Sequence, residues 1–228
     1  MEVLRLHLGM VRNRSRPFAA PVHGFILKHP TAGAILVDTG IGDPPAGIIR
    51  HWDIVNEQMV AALAEHDLSP ADVKIVVNTH LHWDHCGQNA VFRHAPFYVQ
   101  RPELERARRE ETLTSQWFDF TGARFELVDG EAEVAPGVRV IPTPGHTAGH
   151  QSVVVDGDAG EQVFIGDAAY NRDIFEGFED LQVERVTGQA ADATAWRESL
   201  RQVRDRHPEA VHFCHDTRVA HRPHGHPH

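Results

Sequence analysis

The chain has few of the features that would build a disulfide-linked or membrane-spanning protein. It contains only two cysteines, Cys86 and Cys214, among 228 residues. Two are too few for a disulfide scaffold, and we expect both to be free, buried thiols. No apolar run is long enough to cross a bilayer, and the first residues lack the pattern of a signal peptide. We therefore expect a cytoplasmic location and no membrane partner.

Positive charge is also scarce. The chain has 22 Lys and Arg against 32 Asp and Glu, a formal net charge of −10 at pH 7. Because no basic stripe is present, nucleic acid is not an expected partner. The arginine-rich run from Arg101 to Arg109 is interleaved with glutamates, and this pattern predicts a solvated helix face.

The remaining composition is that of an ordinary globular protein, with 41% hydrophobic and 24% charged residues. The length suits a single domain, which we assign to residues 1–220. Residues 221–228 hold histidines among proline and glycine, and this composition predicts a disordered tail.

Short apolar runs alternate with helical patterns along the chain. Hydrophobic spacing predicts helices over residues 54–66, 102–110 and 192–206, and Ser69-Pro70 begins a short helical turn. The order of elements predicts two mixed sheets packed face to face with helices outside, an α/β sandwich. Strands are predicted at residues 3–8, 25–28, 34–37, 74–78, 97–100, 125–127, 138–141, 151–155, 162–165 and 210–213.

The densest feature is a loop that reads Thr-His-Leu-His-Trp-Asp-His-Cys-Gly after the strand at 74–78. It holds four potential metal ligands, His80, His82, Asp84 and His85. A divalent metal would satisfy them together, and the alternative is a solvated polar loop in a chain with 18 histidines. An extended backbone points His80 and His82 to one side. The adjacent Asp84 and His85 suit a second metal, as in two-metal hydrolytic sites.

Three further candidate ligands each follow a short predicted strand. His146 lies in Pro144-Gly145-His146-Thr147, Asp167 in Gly166-Asp167-Ala168, and His215 in Phe213-Cys214-His215-Asp216. Any one of them alone would indicate a cap or a turn. Together with the loop they supply five histidines and two aspartates.

This set of motifs resembles the metallo-β-lactamase superfamily, and the resemblance extends from Asp38-Thr39-Gly40 to His215. It implies an αββα sandwich with a dinuclear site at one edge of the two sheets. By the resemblance, His80, His82 and His146 would bind the first metal, Asp84, His85 and His215 the second, and Asp167 would bridge them.

Two divalent ions in such a site would lower the pKa of bound water and stabilise an oxyanion, which predicts hydrolysis of a carbonyl substrate. Asp84 or Asp167 could carry a proton to the leaving group. Imidazole and carboxylate ligands suit zinc, and also manganese, iron and cobalt.

Tyr170, three residues after Asp167, resembles the tyrosine with which the N-acyl-homoserine lactone lactonases of this superfamily approach the substrate carbonyl. We therefore expect a quorum-quenching lactonase, a metal-dependent carboxylic ester hydrolase. The alternatives are a glyoxalase II-like thioesterase or another esterase of the same fold, a mononuclear iron persulfide dioxygenase, and a metal-binding structural module. Tyr170 as a packing residue is also open, and the sequence leaves the oligomeric state undetermined.

Several residues near the motifs have two possible roles. Trp83 could line the substrate pocket or pack beneath it. For Trp117, Phe118 and Phe120, core packing is favoured over a substrate-covering loop. His150 is expected to support the site rather than act as an eighth ligand.

Overall fold

The computed structural model describes residues 1–15 and 18–222. The strands of the first sheet and the helices along it come mainly from the first half of the chain. Its strands are β1 (Glu2–Asn13), β2 (Ala19–His29), β3 (Gly33–Val37), β4 (Trp52–Asn56), β5 (Val73–Val77), β6 (Phe97–Gln100) and β7 (Phe125–Val128), and the helices are α1 (Ala46–Ile49), α2 (Met59–Ala64), α3 (Arg101–Glu110) and α4 (Ser115–Phe118).

The second half of the chain builds a six-stranded sheet and two helices. Its strands are β8 (Ala132–Ala135), β9 (Val138–Pro142), β10 (Gln151–Gly157), β11 (Gly160–Phe164), β12 (Ala210–His212) and β13 (Ala220–His221), and the helices are α5 (Arg172–Gly177) and α6 (Ala193–Asp205). Short 3-10 turns lie at Pro70–Asp72, Asn89–Phe92, Gly166–Ala168 and Val183–Arg185.

The order of strands in the two sheets determines which strand ends lie close together. The first sheet runs β4-β1-β2-β3-β5-β6-β7 and the second β13-β12-β11-β10-β9-β8. In the first, β3, β5 and β6 are parallel neighbours. In the second, β11 and β12 are parallel, and β9 shares their direction because both β9 and β11 pair antiparallel with β10. The carboxyl ends of the parallel strands within each sheet therefore meet at one edge.

Side-chain alternation along the strands fills three apolar layers. Phe25 and Leu27 of β2 point between the sheets, where they meet Val153 and Phe164 of the second sheet, whereas Ile26 points outward. The outer face of the first sheet packs against α2, α3 and α4. That of the second sheet packs against α6 through Trp196, Leu200 and Val203. The predicted α/β sandwich is confirmed.

The predicted helix over residues 54–66 is wrong in its first half. Residues 52–56 form β4, which pairs antiparallel with β1, and only Met59–Ala64 is helical. The spacing of Val55, Met59 and Leu63 indicated one apolar face, yet Val55 is 59% exposed while Met59 and Leu63 are buried. Tertiary pairing of an edge strand has outweighed the local pattern.

The solvated face predicted for Arg101 to Arg109 is wrong for part of α3. Arg106 is only 6% exposed and Glu103 is fully buried, and the two form an ion pair of 2.7 Å. The remaining charged residues of the run do face solvent.

Besides β4, five elements were not predicted: α1, α4, β8, α5 and β13. His221, the first residue of the predicted tail, lies in β13 and pairs with Ala210 of β12. Residues 223–228, the rest of that tail, lie outside the described residues, and the single domain over 1–220 stays a prediction. Within residues 1–15 and 18–222, no helix is both long and apolar enough to span a bilayer.

Candidate active site

The seven predicted ligands lie on loops that follow the carboxyl ends of strands. The loop after β5 carries four of them, and single residues follow β9, β11 and β12. A backbone bond of 2.9 Å from Gln151 N–H to the carbonyl of Thr79 holds the loop after β5 against the start of β10. All seven side chains come together at this point of the fold.

Three imidazoles form the three-histidine group, made of His80, His82 and His146. His82 Nδ1 is 2.9 Å from both His80 Nε2 and His146 Nε2, and those two atoms are 3.2 Å apart. Three ring nitrogens this close cannot all carry protons, but they can share one cation with metal–nitrogen bonds near 2.0–2.1 Å.

A second group, the aspartate group, is made of Asp84, His85 and His215. His215 Nε2 lies 3.7 Å from Asp84 Oδ2, and His85 Nε2 lies 4.0 Å from Asp84 Oδ1. Asp167 stands between the two groups. Its Oδ1 is 3.2 Å from both His85 Nε2 and His215 Nε2, and its Oδ2 is 3.4 Å from His146 Nε2.

Two buried atoms at this junction, His85 Nε2 and Asp167 Oδ1, have no well-directed hydrogen bond. Orphaned buried polar atoms are costly and rare in native structures. A cation between the two side chains would satisfy both atoms, so the donor set fits the predicted metals.

The second ring nitrogen of each histidine faces a protein oxygen. Nδ1 of His146 is 3.2 Å from the carbonyl of Gln189, and Nδ1 of His215 is 2.8 Å from the carbonyl of Pro21. Nε2 of His82 lies 3.5 Å from the carboxylate of Glu111. A proton on these outer nitrogens leaves the inner nitrogens free to bind metal.

Asp38 faces the outer nitrogen of His85 and also bonds to Thr79 at the start of the loop after β5. Its Oδ2 is 2.8 Å from His85 Nδ1 and accepts the hydroxyl of Thr79 at 2.7 Å, and its Oδ1 accepts the Thr79 N–H at 2.8 Å. Asp38 is fully buried and adopts a left-handed φ of 58°, which aspartate tolerates better than most residues.

The histidines of the site differ in the direction of their pKa shifts. Burial, reinforced by neighbouring histidines, holds the pKa of His80 and His82 well below the ordinary value. Burial also opposes a charged His85, but the carboxylates of Asp167 and Asp38 outweigh it and raise its pKa well above the ordinary value. Burial would raise the pKa of Asp167, yet His85 and His215 lower it well below the usual range. Burial also lowers the pKa of His146, so all three rings of the three-histidine group are neutral, as metal ligands must be.

His150 supports Asp167 from behind. Its Nε2 accepts the Asp167 N–H at 3.0 Å, so its Nδ1 carries the proton and faces the hydroxyl of Thr143 at 2.9 Å. That hydroxyl is 2.8 Å from the hydroxyl of Ser152, which donates to the carbonyl of Ile165. Burial lowers the pKa of His150 to about 3, so the ring stays neutral in this chain of bonds.

An aromatic-lined cleft of about 120 Å³ opens over the ligands. The ring of Tyr170 lies 5.7 Å from that of His146 and 5.5 Å from that of His215, between the two ligand groups. Phe18, Trp52 and Trp83 line the other wall. A second cavity of about 100 Å³ continues from the cleft past Phe18, Trp52 and Tyr170. The arrangement suits a substrate with a polar carbonyl end and an apolar extension.

Residues whose roles the sequence left open are now placed. Trp83 lines the cleft, and its ring is 5.6 Å from that of Trp52. Trp117 and Phe118 are buried, and Phe120 packs edge-on against Phe97 at 5.9 Å. The two cysteines, Cys86 and Cys214, are free and buried, as predicted.

Several residues at the site gave no sequence signal strong enough to be noticed. Gln189 donates to the carbonyl of Asp167 at 2.7 Å and accepts the N–H of Tyr170 at 3.2 Å. Asp38 stands at a strand end before a glycine step, a signal that could have identified it. Gln189, Trp52 and Glu103 lie in segments without any such motif.

Comparison with known proteins bears on the same residues. The profile of the metallo-beta-lactamase superfamily matches residues 20–215. An N-acyl homoserine lactonase from a Bacillus species is 31% identical over 169 residues, which cover 68% of this chain and 67% of the relative. The N-acyl homoserine lactonase AttM of Agrobacterium fabrum is 27% identical over 238 residues, 92% of this chain and 87% of the relative.

A solved structure is similar over nearly the whole chain. It is an N-acyl homoserine lactone hydrolase with the product N-hexanoyl-L-homoserine bound at its catalytic metal center. The TM-score is 0.76 at 25% identity, over 95% of this chain and 95% of that one.

Proposed function

Because the chain belongs to the metallo-beta-lactamase superfamily, we propose that it is a dinuclear metal-dependent hydrolase that opens the lactone ring of N-acyl homoserine lactones. The single observation that carries the proposal is the pair of ligand groups joined by Asp167, with Tyr170 between them at the cleft. The resemblance to N-acyl homoserine lactonases supports the substrate class.

The residues present fit two divalent metal ions, for which zinc is our assignment. His80, His82 and His146 would hold one ion, Asp84, His85 and His215 the other, and Asp167 would contact both. When bound, such ions supply hydroxide near neutral pH and positive charge beside the substrate carbonyl.

The protein's own groups then orient the substrate and move protons. Burial, with the charge of Asp167 adding to it, raises the pKa of Tyr170 well above the ordinary value. Its hydroxyl stays protonated and can donate a hydrogen bond to the carbonyl oxygen as negative charge develops. Asp84 is half-buried at the cleft, where its carboxylate can accept the proton that the attacking water gives up and pass it to the ring oxygen that leaves as an alcohol.

The test is a panel of N-acyl homoserine lactones of several chain lengths, with ring opening measured by proton release. We expect turnover by zinc-loaded protein. Tyr170→Phe should lower kcat by at least about tenfold with metal content unchanged. The loss should be smaller than the ~10²-fold loss typical of removing a lone oxyanion donor, because the metals share the developing charge. Tyr98→Phe, at the only other tyrosine, is the control and should leave turnover unchanged.

Failure on the whole panel would remove the substrate assignment. A glutathione thioester tests the glyoxalase II-like alternative, and one iron per chain with oxygen uptake would favour a persulfide dioxygenase instead. Equal kcat for Tyr170→Phe and the parent protein would assign Tyr170 to packing. A cytoplasmic location, the lack of nucleic-acid and membrane partners, and the division of the chain at residue 220 stay predictions.

A further inference from the structure

A buried carboxylate lies behind the three-histidine group, on the first turn of α3. Glu103 is fully buried, and both of its oxygens accept hydrogen bonds from distant parts of the chain. Oε1 accepts the N–H of Leu81 at 2.9 Å, and Oε2 accepts the hydroxyl of Thr147 at 2.7 Å. Arg106 completes the set with bonds of 2.7 Å to Oε1 and 3.4 Å to Oε2.

These partners are the immediate neighbours of metal ligands. Leu81 lies between His80 and His82, and Thr147 follows His146. The two ligand loops are separated by more than sixty residues of sequence (80 to 146), so the histidines can converge only if something fixes the distance between the loops. Glu103 bonds to both loops through one rigid carboxylate.

Arg106 extends the network to the remaining face of the group. Its guanidinium donates to Glu111 at 2.8 Å, and Glu111 Oε1 lies 3.5 Å from His82 Nε2. Since His82 Nδ1 points to the other two histidines, its Nε2 is the nitrogen that keeps the proton. A carboxylate facing that nitrogen sets the tautomer and the ring orientation.

Gly149 provides an independent sign of this packing. A Cβ at Gly149 would lie 2.1 Å from the backbone nitrogen of Glu103, which is far inside contact distance. The first turn of α3 therefore approaches the loop of His146 as closely as a glycine permits. Helix α3 therefore packs directly against the loop that carries Thr147, whose hydroxyl donates to Glu103.

We propose that Glu103 is a positioning residue for the three-histidine group, and that Arg106 and Glu111 carry its action to His82. Glu103 holds the Leu81 and Thr147 segments at the separation that lets the three histidines share one metal. The proposal rests on the metal assignment of the proposed function, but not on the lactone substrate. Its effect belongs to one of the two metals, because no bond of Glu103 reaches the aspartate group.

The main test compares Glu103→Ala with Glu161→Ala. Glu161 is a matched control, since its carboxylate also accepts arginine donors, Arg139 and Arg206, but away from the ligand loops. Zinc-loaded proteins are titrated with a colorimetric chelator. Removal of outer-layer partners typically weakens metal binding 10–100-fold. We expect one of the two zinc equivalents to bind at least about tenfold more weakly in Glu103→Ala, and both to be unchanged in Glu161→Ala.

Two further variants separate positioning from simple loss of stability. Glu103→Gln can still accept the Leu81 N–H and the 2.7 Å bond from Arg106 with its oxygen, and can offer its amide to the Thr147 hydroxyl. It loses only the 3.4 Å bond from Arg106, so it should keep zinc affinity within about threefold of the parent. Thr147→Val removes one tie only and should weaken one equivalent by several-fold even if Glu103→Ala does not fold. Thermal unfolding of the metal-free proteins measures the stability loss in parallel.

The outcomes are distinct. Wild-type affinity for both zinc ions in Glu103→Ala or in Thr147→Val would overturn the proposal, whatever the loss of melting temperature. Equal weakening in Glu103→Gln and Glu103→Ala would overturn the tying role as well. If the parent protein failed to bind two zinc ions, the metal assignment itself would fall, whereas absence of lactone turnover with normal zinc binding would affect the substrate assignment alone.

Discussion

Replacement of Asp38 by asparagine should weaken metal binding or lower stability without changing the backbone conformation. Asparagine has the same shape and also tolerates the left-handed φ of 58° at this position, so the fold need not change. The carboxylate accepts the N–H of Thr79 with one oxygen, and its other oxygen faces the Thr79 hydroxyl and His85 Nδ1. An amide has only one oxygen, so it can be placed in two ways.

Each placement has its own cost. If the amide oxygen keeps the Thr79 N–H, the NH₂ group faces His85 Nδ1 at 2.8 Å and forces the proton onto Nε2, the nitrogen that faces Asp167. Metal affinity should then fall about 10–100-fold, or roughly 1.4–2.7 kcal/mol. In the opposite orientation, the buried Thr79 N–H loses its acceptor, at a cost of about 1–3 kcal/mol of stability.

Chelator titration and urea unfolding of Asp38→Asn measure the two costs. Asp72→Asn is the matched control, because Asp72 also accepts a backbone N–H and a hydroxyl, both from Ser69, but on the surface. It should leave metal affinity unchanged. If Asp38→Asn kept both the metal affinity and the stability of the parent, the tautomer reasoning would be refuted.

Three further outcomes follow from the same structure. Burial lowers the pKa of His212 to about 4, so the unfolded chain binds this proton more readily and stability should be lost as pH falls from 6.5 toward 4. His212→Phe removes this titration and can keep the stacking on Phe164. Between pH 7 and 4.5, the free energy of unfolding of the metal-free variant should therefore fall by about 1–2 kcal/mol less than that of the parent, as measured by urea unfolding. Gly149→Ala should cost about 1–3 kcal/mol or more and weaken zinc binding, because the new methyl group meets the backbone of Glu103; unchanged melting and chelator curves would contradict this. Zinc at about 100 times its Kd should stabilise the protein by roughly 2.7 kcal/mol per site, and calorimetry that shows no shift on chelation would contradict metal binding to the native state.

Local patterns predicted the layers of this fold well, because buried strands carry apolar runs that do not depend on their partners. The prediction was wrong at β4, where residues 54–56 fit a helical spacing but lie in an edge strand paired with β1. Nothing within residues 54–66 records that pairing, since the partner strand lies some forty residues earlier. The same limit applies to Glu103, whose buried carboxylate has its distant partners, Leu81 and Thr147, in the ligand loops.

The candidate site divides in a similar way. Its inner residues lie in dense motifs, because one loop after β5 brings four candidate ligands within six positions. The residues that hold them come from elsewhere: Glu103 bonds to Leu81, 22 residues away, and Asp38 to His85, 47 residues away. Glu103 shares no spacing with the motif that it supports, so the sequence alone cannot single it out, whereas Asp38 has only its position before a glycine step to mark it.

The convergence of the site from strands of both sheets has a consequence for biosynthesis. Four of the seven proposed ligands are synthesised by residue 85, but His215 is synthesised last, after β11, the strand with which β12 pairs. His215 Nδ1 then meets the carbonyl of Pro21, 194 residues earlier in the chain. A chain synthesised only through the first loop carries four of the seven proposed ligands and lacks His146, Asp167 and His215. Binding of both proposed metal ions therefore requires that synthesis has passed His215 and that β12 has paired with β11.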